Sequence, residues 1–259
     1  MIRMAQCKGL VCEKSYPPLL QVRELTFLEF CCQQPRWAIH QKGAPWSVYM
    51  THSFTANQTF YLLVCDAKQS RLDIVKERLC DILDANRKAW NAISDSINPF
   101  FLQLLIAHEV FLDAVPQVTA LRNKLYDALD RVDEYAETDA NGRMRSELED
   151  LTIQLHIVSQ ETDRMSANVD MSSMVVQRLI GAHERYSNCT QDPGKKNAVA
   201  KLDNALHYLL HSIESQQRWL NSYKSRKDIA MNLVGSDVLC CAGQALTLLP
   251  GLQSRHPAG

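Results

Sequence analysis

Apolar positions in the second half of the chain recur with a strict rhythm. Leu148, Leu151, Leu155, Val158, Thr162, Met165 and Val169 step alternately by three and four residues. Val199, Leu202, Leu206, Leu209, Ile213, Gln216, Leu220 and Tyr223 do the same. This spacing places each set on one stripe of an α-helix and forms a heptad seam. The first seam continues loosely through Val176, Leu179 and Ile180. The pattern predicts two long helices, about residues 142–186 and 193–234, interrupted by SNCTQDPGKKN at 187–197. A short connection favours packing the two seams against each other as an antiparallel pair. Part of each seam could instead face another protomer.

Upstream, the helical pattern begins at Ser70. In RLDIVKERLCDILDANRKAW, residues Leu72, Val75, Leu79, Ile82 and Leu83 share one face. Asn98 followed by Pro99 reads as an N-cap and first helical position, opening a helix that runs on through IAHEVFLD. Pro116 predicts a kink or break in that helix, because it lacks the amide proton of a helix interior. ETDANGR, residues 137–143, reads as a turn.

Residues 1–66 differ. LTFLEFCC, RWAIHQ, WSVYMTHSF and TFYLLVCDA are short runs of aromatic and β-branched residues, punctuated by Gly43-Ala44-Pro45 and Ala56-Asn57-Gln58. They predict strands and turns. At the other end, Gly235-Ser236-Asp237 reads as a stop, leaving residues 235–259 as an irregular tail. The fold class expected is mainly α with a small N-terminal β region (α+β). Residues 67–234 form a helical domain, in which two long antiparallel helices, about 142–186 and 193–234, make a coiled-coil-like stalk beside a shorter helical layer.

Composition narrows the function classes. The 28 basic and 29 acidic residues nearly cancel, which argues against nucleic-acid binding driven by bulk charge. Nine cysteines, with adjacent pairs at 31–32 and 240–241 and no C-x-x-C, give no zinc spacing. The N-terminus shows no signal-peptide apolar run, so the cysteines read as reduced thiols of an intracellular protein. The longest apolar candidate for a membrane span, VLCCAGQALTLLPGL, falls short of the ~20 residues required and contains Gln244 and Pro250. The expected location is therefore cytoplasmic or membrane-peripheral.

Candidate chemistry is sparse. His108-Glu109 resembles the start of a zinc-protease helix, but Leu112 stands where the second imidazole is required. His207 and His211 are one helical turn apart and lack an evident third ligand. Asp127, Asp130, Asp133, Glu134 and Glu137, with Asp139, make an acidic stretch whose oxygens suit Mg²⁺, although Arg131 lies among them and no EF-hand spacing is present. An ordinary solvated helix face has the same composition. Arg218, Lys224, Arg226 and Lys227 form a basic cluster, which suits the end of a helix or the cytosolic side of a membrane. No nucleophile context, Gly-rich phosphate loop or supported base appears, so no enzyme is expected.

Several stretches, in order, resemble the fungal CorA-like family of magnesium transporters: WSVYMTHSF with FYLLVCDA, NPFFLQLLIAHEVFLD, LTIQLHIVSQETDRMSANVDM with AHERY, and WLNSYKSRKDIAMNLV. Together they span roughly residues 46–234. The resemblance implies a pentameric, non-enzymatic protein whose last long helix is a stalk leading to the first membrane span. It implies Mg²⁺ or a related divalent cation as cargo, and a basic cluster near the membrane. The family's Gly-Met-Asn signature is absent here; Ala230-Met231-Asn232 echoes it in letters only. Without the spans that follow the stalk, the chain is expected not to transport alone. A soluble coiled-coil adaptor or oligomerisation module is the alternative expectation, and Mg²⁺ sensing through the acidic stretch is a third.

Overall fold

A computed structural model describes residues 27–37, 45–65, 70–88, 98–138, 145–190 and 195–247. Three strands, β1 (Phe27–Gln33), β2 (Ser47–Ser53) and β3 (Gln58–Val64), precede five helices: α1 (Ser70–Lys88), α2 (Phe101–Leu112), α3 (Ala114–Glu137), α4 (Arg145–Cys189) and α5 (Lys196–Thr247). The chain is mainly α with a small antiparallel sheet at its N-terminal side, as the hydrophobic pattern requires.

Two compact units share these elements. One comprises Met1–Gln117 and Ala167–Gln217, the other Val118–Ser166 and Arg218–Gly259. Each long helix contributes one segment to each unit.

In the first unit the sheet has the order β1-β2-β3, with Phe30 opposite Met50 and Met50 opposite Tyr61. Val48, Met50 and His52 alternate along β2 and are buried, while their neighbours point to the other face. Asn57 closes the β2–β3 turn with φ 48°, a left-handed conformation that asparagine tolerates better than most residues. RWAIHQ does not extend the sheet at Arg36 and Trp37; Trp37 is buried outside any strand, and residues 38–44 lie outside the described residues.

Helix α2 starts two residues later than the capping pattern predicts: its N-cap is Phe100, which has no side-chain cap hydrogen bond, and Asn98 and Pro99 belong to the turn just before it. Asn98 Oδ1 accepts the Phe100 amide at 2.9 Å and the Asn98 carbonyl accepts the Phe101 amide at 3.0 Å. The break expected near Pro116 falls at Asp113, between α2 and α3. Pro116 then occupies the first turn of α3, where a missing amide costs nothing. By length and composition alone, Phe101–Glu137 is sufficiently apolar to cross a membrane, a test that buried core helices also pass. That stretch was not singled out by the sequence pattern.

The second unit has a core built from α3, α4 and α5: Ala128, Val132 and Tyr135 meet Leu148, Leu151, Leu155, Ala230 and Val234. Lys224 reaches Asp163 and Lys227 reaches Ser159, so numbering rises along one helix as it falls along the other and the pairing is antiparallel. In the first unit the same two helices are joined through residues 190–195, and His183 faces Asp203.

Both seams run further than their apolar letters suggest. On α4 the three-and-four rhythm persists through buried Ser172, Val176, Leu179, His183 and Tyr186. On α5 it persists through buried Lys227, Ala230 and Val234. The expected stop at Gly235 is corrected: α5 passes through Gly235, Ser236 and Asp237 to Thr247, so residues 235–247 are helix and not an irregular tail. Glycine ends a helix when it turns left-handed; Gly235 does not, and it costs only about 1 kcal/mol of helix propensity.

Candidate functional site

The five acidic candidates on α3, Asp127, Asp130, Asp133, Glu134 and Glu137, are all exposed. They lie before, between and after Ala128, Val132 and Tyr135, which face the core. Among the described residues no group of three or more histidine, cysteine, aspartate or glutamate side chains is placed to hold a metal. Asp139 lies outside the described residues. His207 and His211 do not share a ligand: each Nδ1 donates to the backbone carbonyl four residues earlier, at 2.9 and 2.7 Å. Glu109 is a buried carboxylate of α2, ion-paired with Arg78 of α1, with His108 Nδ1 at 3.6 Å. That arrangement fixes α1 on α2. Among the described residues, Cys31, Cys32, Cys65, Cys80 and Cys189 are not joined in disulfides. Cys32 donates to Gln103, and burial pushes its thiol up to about 12, far from a nucleophilic thiolate.

The basic cluster is distributed over two environments. Arg218, Lys224 and Arg226 are exposed. Lys224 pairs with Asp163 at 3.2 Å, and Arg226 donates to the Tyr126 hydroxyl at 2.7 Å with its guanidinium 5.6 Å from the ring centre. Lys227 occupies the seam itself. Its Nζ donates to Ser159 Oγ at 3.0 Å and lies 2.6 Å from Asp228 Oδ1. Part of the cluster thus holds α5 to α3 and α4 within the second unit.

The most organised polar centre lies in the first unit, around His183 of α4. The ring is 1% exposed. Phe100 packs edge-on against it at 5.7 Å between ring centres, and Tyr186 lies beside it at 6.3 Å. Tyr186 in turn meets His52 of β2 and Phe54. His183 Nε2 lies 3.0 Å from Asn98 Nδ2. Asp203 Oδ1 of α5 stands 3.8 Å from Nδ1, beyond hydrogen-bond distance, and Nδ1 has no hydrogen-bond partner. A polar cleft of about 590 Å³ opens onto this side, lined by His183, Glu184, Lys196, Asp203 and His207 among others. Burial lowers the affinity of His183 for a proton, and the nearby Asp203 carboxylate only partly offsets it. Burial lowers that of His52 too, with the Lys195 charge adding to the effect.

His183 and Lys227 escape a search for apolar letters. The signal that finds them is the rhythm: each falls on the next three-or-four step of a seam otherwise filled by leucine and valine. A scan against protein-family models gives no match to the chain, and a search of curated proteins gives none.

Proposed function

We propose that this chain is the non-spanning, stalk-bearing portion of a CorA-like divalent-cation transport protein, with Mg²⁺ or a related ion as the cargo of the assembled transporter. The observation that supports this reading most is the continuity of α5. It remains helical from Lys196 to Thr247, through the basic cluster and past Gly235, as a helix leading toward a membrane would. The element order supports it as well: a small sheet, shorter helices, then two long paired helices. In this reading the chain acts in assembly, as a homo-oligomer that is pentameric in the family, and not as an enzyme. The ion path needs apolar helices closed around a polar lumen, and is not assigned to these residues.

Reading the transcript across the codons for Val234 and Gly235 tests the proposal. A message that continues into two apolar spans bearing Gly-Met-Asn is the expected result. A message that reads as printed, together with a strictly monomeric protein in sedimentation, overturns it.

A soluble coiled-coil oligomerisation module is the second reading, favoured by one observation. Trp219, Ile229 and Leu233 are more than half exposed on α5, ten and then four residues apart, off the buried seam. A printed-length message with a concentration-dependent oligomer would favour it over the first.

A further inference from the structure

The hydrogen bonds around His183 determine where its proton sits. Phe100 N–H can only donate, so the Asn98 atom 2.9 Å from it is Oδ1, and the amide orientation is fixed. Asn98 Nδ2 therefore points at His183 Nε2, and since Nδ2 also only donates, Nε2 must be the acceptor. The neutral ring carries its proton on Nδ1, on the side of Asp203. A second proton has one place to go, Nε2, where an N–H donor already points.

We infer that Asn98 and His183 form an acid-sensitive latch, in which protonation of His183 on Nε2 expels the Asn98 amide donor and frees the Phe100 amide in the turn that leads into α2. The two states are mutually exclusive. With Nε2 bare, one asparagine satisfies both the Phe100 amide and the imidazole. With Nε2 protonated, Asn98 must present Oδ1 to the ring and surrender Phe100 N–H, or withdraw altogether. Phe100 and His183 are both fully enclosed, so an unpaired amide there is costly. The change is transmitted because Phe100 touches the three other aromatic-cluster members nearest it: Phe30 of β1, His183 and Tyr186 of α4.

The charged and titratable groups around the ring act in both directions. From α5, Asp203 favours the imidazolium, while His207 opposes it. On α4 itself Glu184 favours it. Lys196 of α5 lines the same cleft, and His52 of β2 reaches the cluster through Tyr186. The turn at 98–100 contributes no charge. The ring is enclosed and Nε2 faces Asn98, so charging it requires local opening of the turn at 98–100 and not global unfolding. This inference stands on the first unit alone and does not rest on the transport reading.

The test is nuclear magnetic resonance on the full chain. ¹⁵N-labelled histidine should show the Nδ1–H tautomer for His183 at neutral pH, and an Nε2–H tautomer overturns the latch. Exchange of the Phe100 amide, corrected for the intrinsic rate, should accelerate by about tenfold for each pH unit of acidification toward the His183 titration and level off below it. In His183→Gln, whose side-chain oxygen can still accept from Asn98, that step should vanish. A step that persists there, or that is absent from the parent protein, overturns the latch. Asp203→Asn should move the titration of His183 to lower pH, read from the ring resonances. Should His183→Gln fail to fold, the tautomer and the exchange profile of the parent protein decide alone.

Discussion

Lys227 Nζ lies 3.0 Å from Ser159 Oγ inside the seam that pairs α4 with α5. A lysine at a seam position lowers stability but restricts register, because sliding the helices would break its bond to Ser159 and leave only Asp228 of its own helix. Lys227→Met keeps the volume and removes the buried charge. It should leave the urea midpoint unchanged or raise stability by about 1 kcal/mol. Ser159→Ala should lower it by about 1 kcal/mol, since it removes the ammonium's partner across the seam and leaves only Asp228 of its own helix. A large loss in Lys227→Met would show that the ammonium is needed for folding.

Arg78 and Glu109 make the complementary case. Glu109 is buried and Arg78 is half-exposed, so removing the arginine leaves an enclosed carboxylate. Arg78→Met should cost about 2 kcal/mol, less than a fully buried pair because water screens the guanidinium. Glu109→Gln in the same background should recover most of that loss, as measured by urea unfolding of the single and double variants. Equal stability of all three would show that the pair contributes nothing.

The seam should dominate the stability of the long helices. Leu206 is fully buried, whereas Ile157 is 46% exposed on the outer side of α4. Leu206→Ala should cost about 2–5 kcal/mol, and Ile157→Ala within about 0.5 kcal/mol of zero. Comparable losses at both positions would mean that the outer face is also packed in solution.

His52 and His183 give a pH dependence whose sign follows from their lowered proton affinity. Unfolded histidine titrates near ~6.5, so just below that value the unfolded chain binds more protons than the folded one. The stability they contribute is fully present above ~6.5 and is lost as pH falls from there through their lower folded values. Urea midpoints should therefore drop on acidification, and drop less in His52→Gln. An unchanged midpoint across this range would contradict the buried, neutral assignment.

Titration of the chain with millimolar Mg²⁺ should give no saturable heat, because the five α3 carboxylates are exposed and not gathered into a ligand set. Saturable binding lost on Asp130→Asn and Asp133→Asn would restore the acidic stretch as a sensor.

Periodicity alone was sufficient for the long helices and the side each one buries, since an apolar stripe at three-and-four spacing has no alternative but burial. The strands around Val48 and Met50 were equally legible, because alternation is local chemistry, whereas the start of α2 fell two residues beyond Asn98. Local letters misled at Gly235: a glycine ends a helix only when its backbone turns left-handed, and that conformation is not written in the residue. The exposure of Asp127, Asp130 and Asp133 was readable as a polar face, yet whether other elements would bring them a fourth ligand was not. Tertiary structure decided the rest. Asn98 and His183 are 85 positions apart, and Arg78 and Glu109 sit on different helices. The sequence determined the periodic stripes, because they depend on spacing along one helix. Only the tertiary structure could bring together the polar residues within them, because their partners come from other elements.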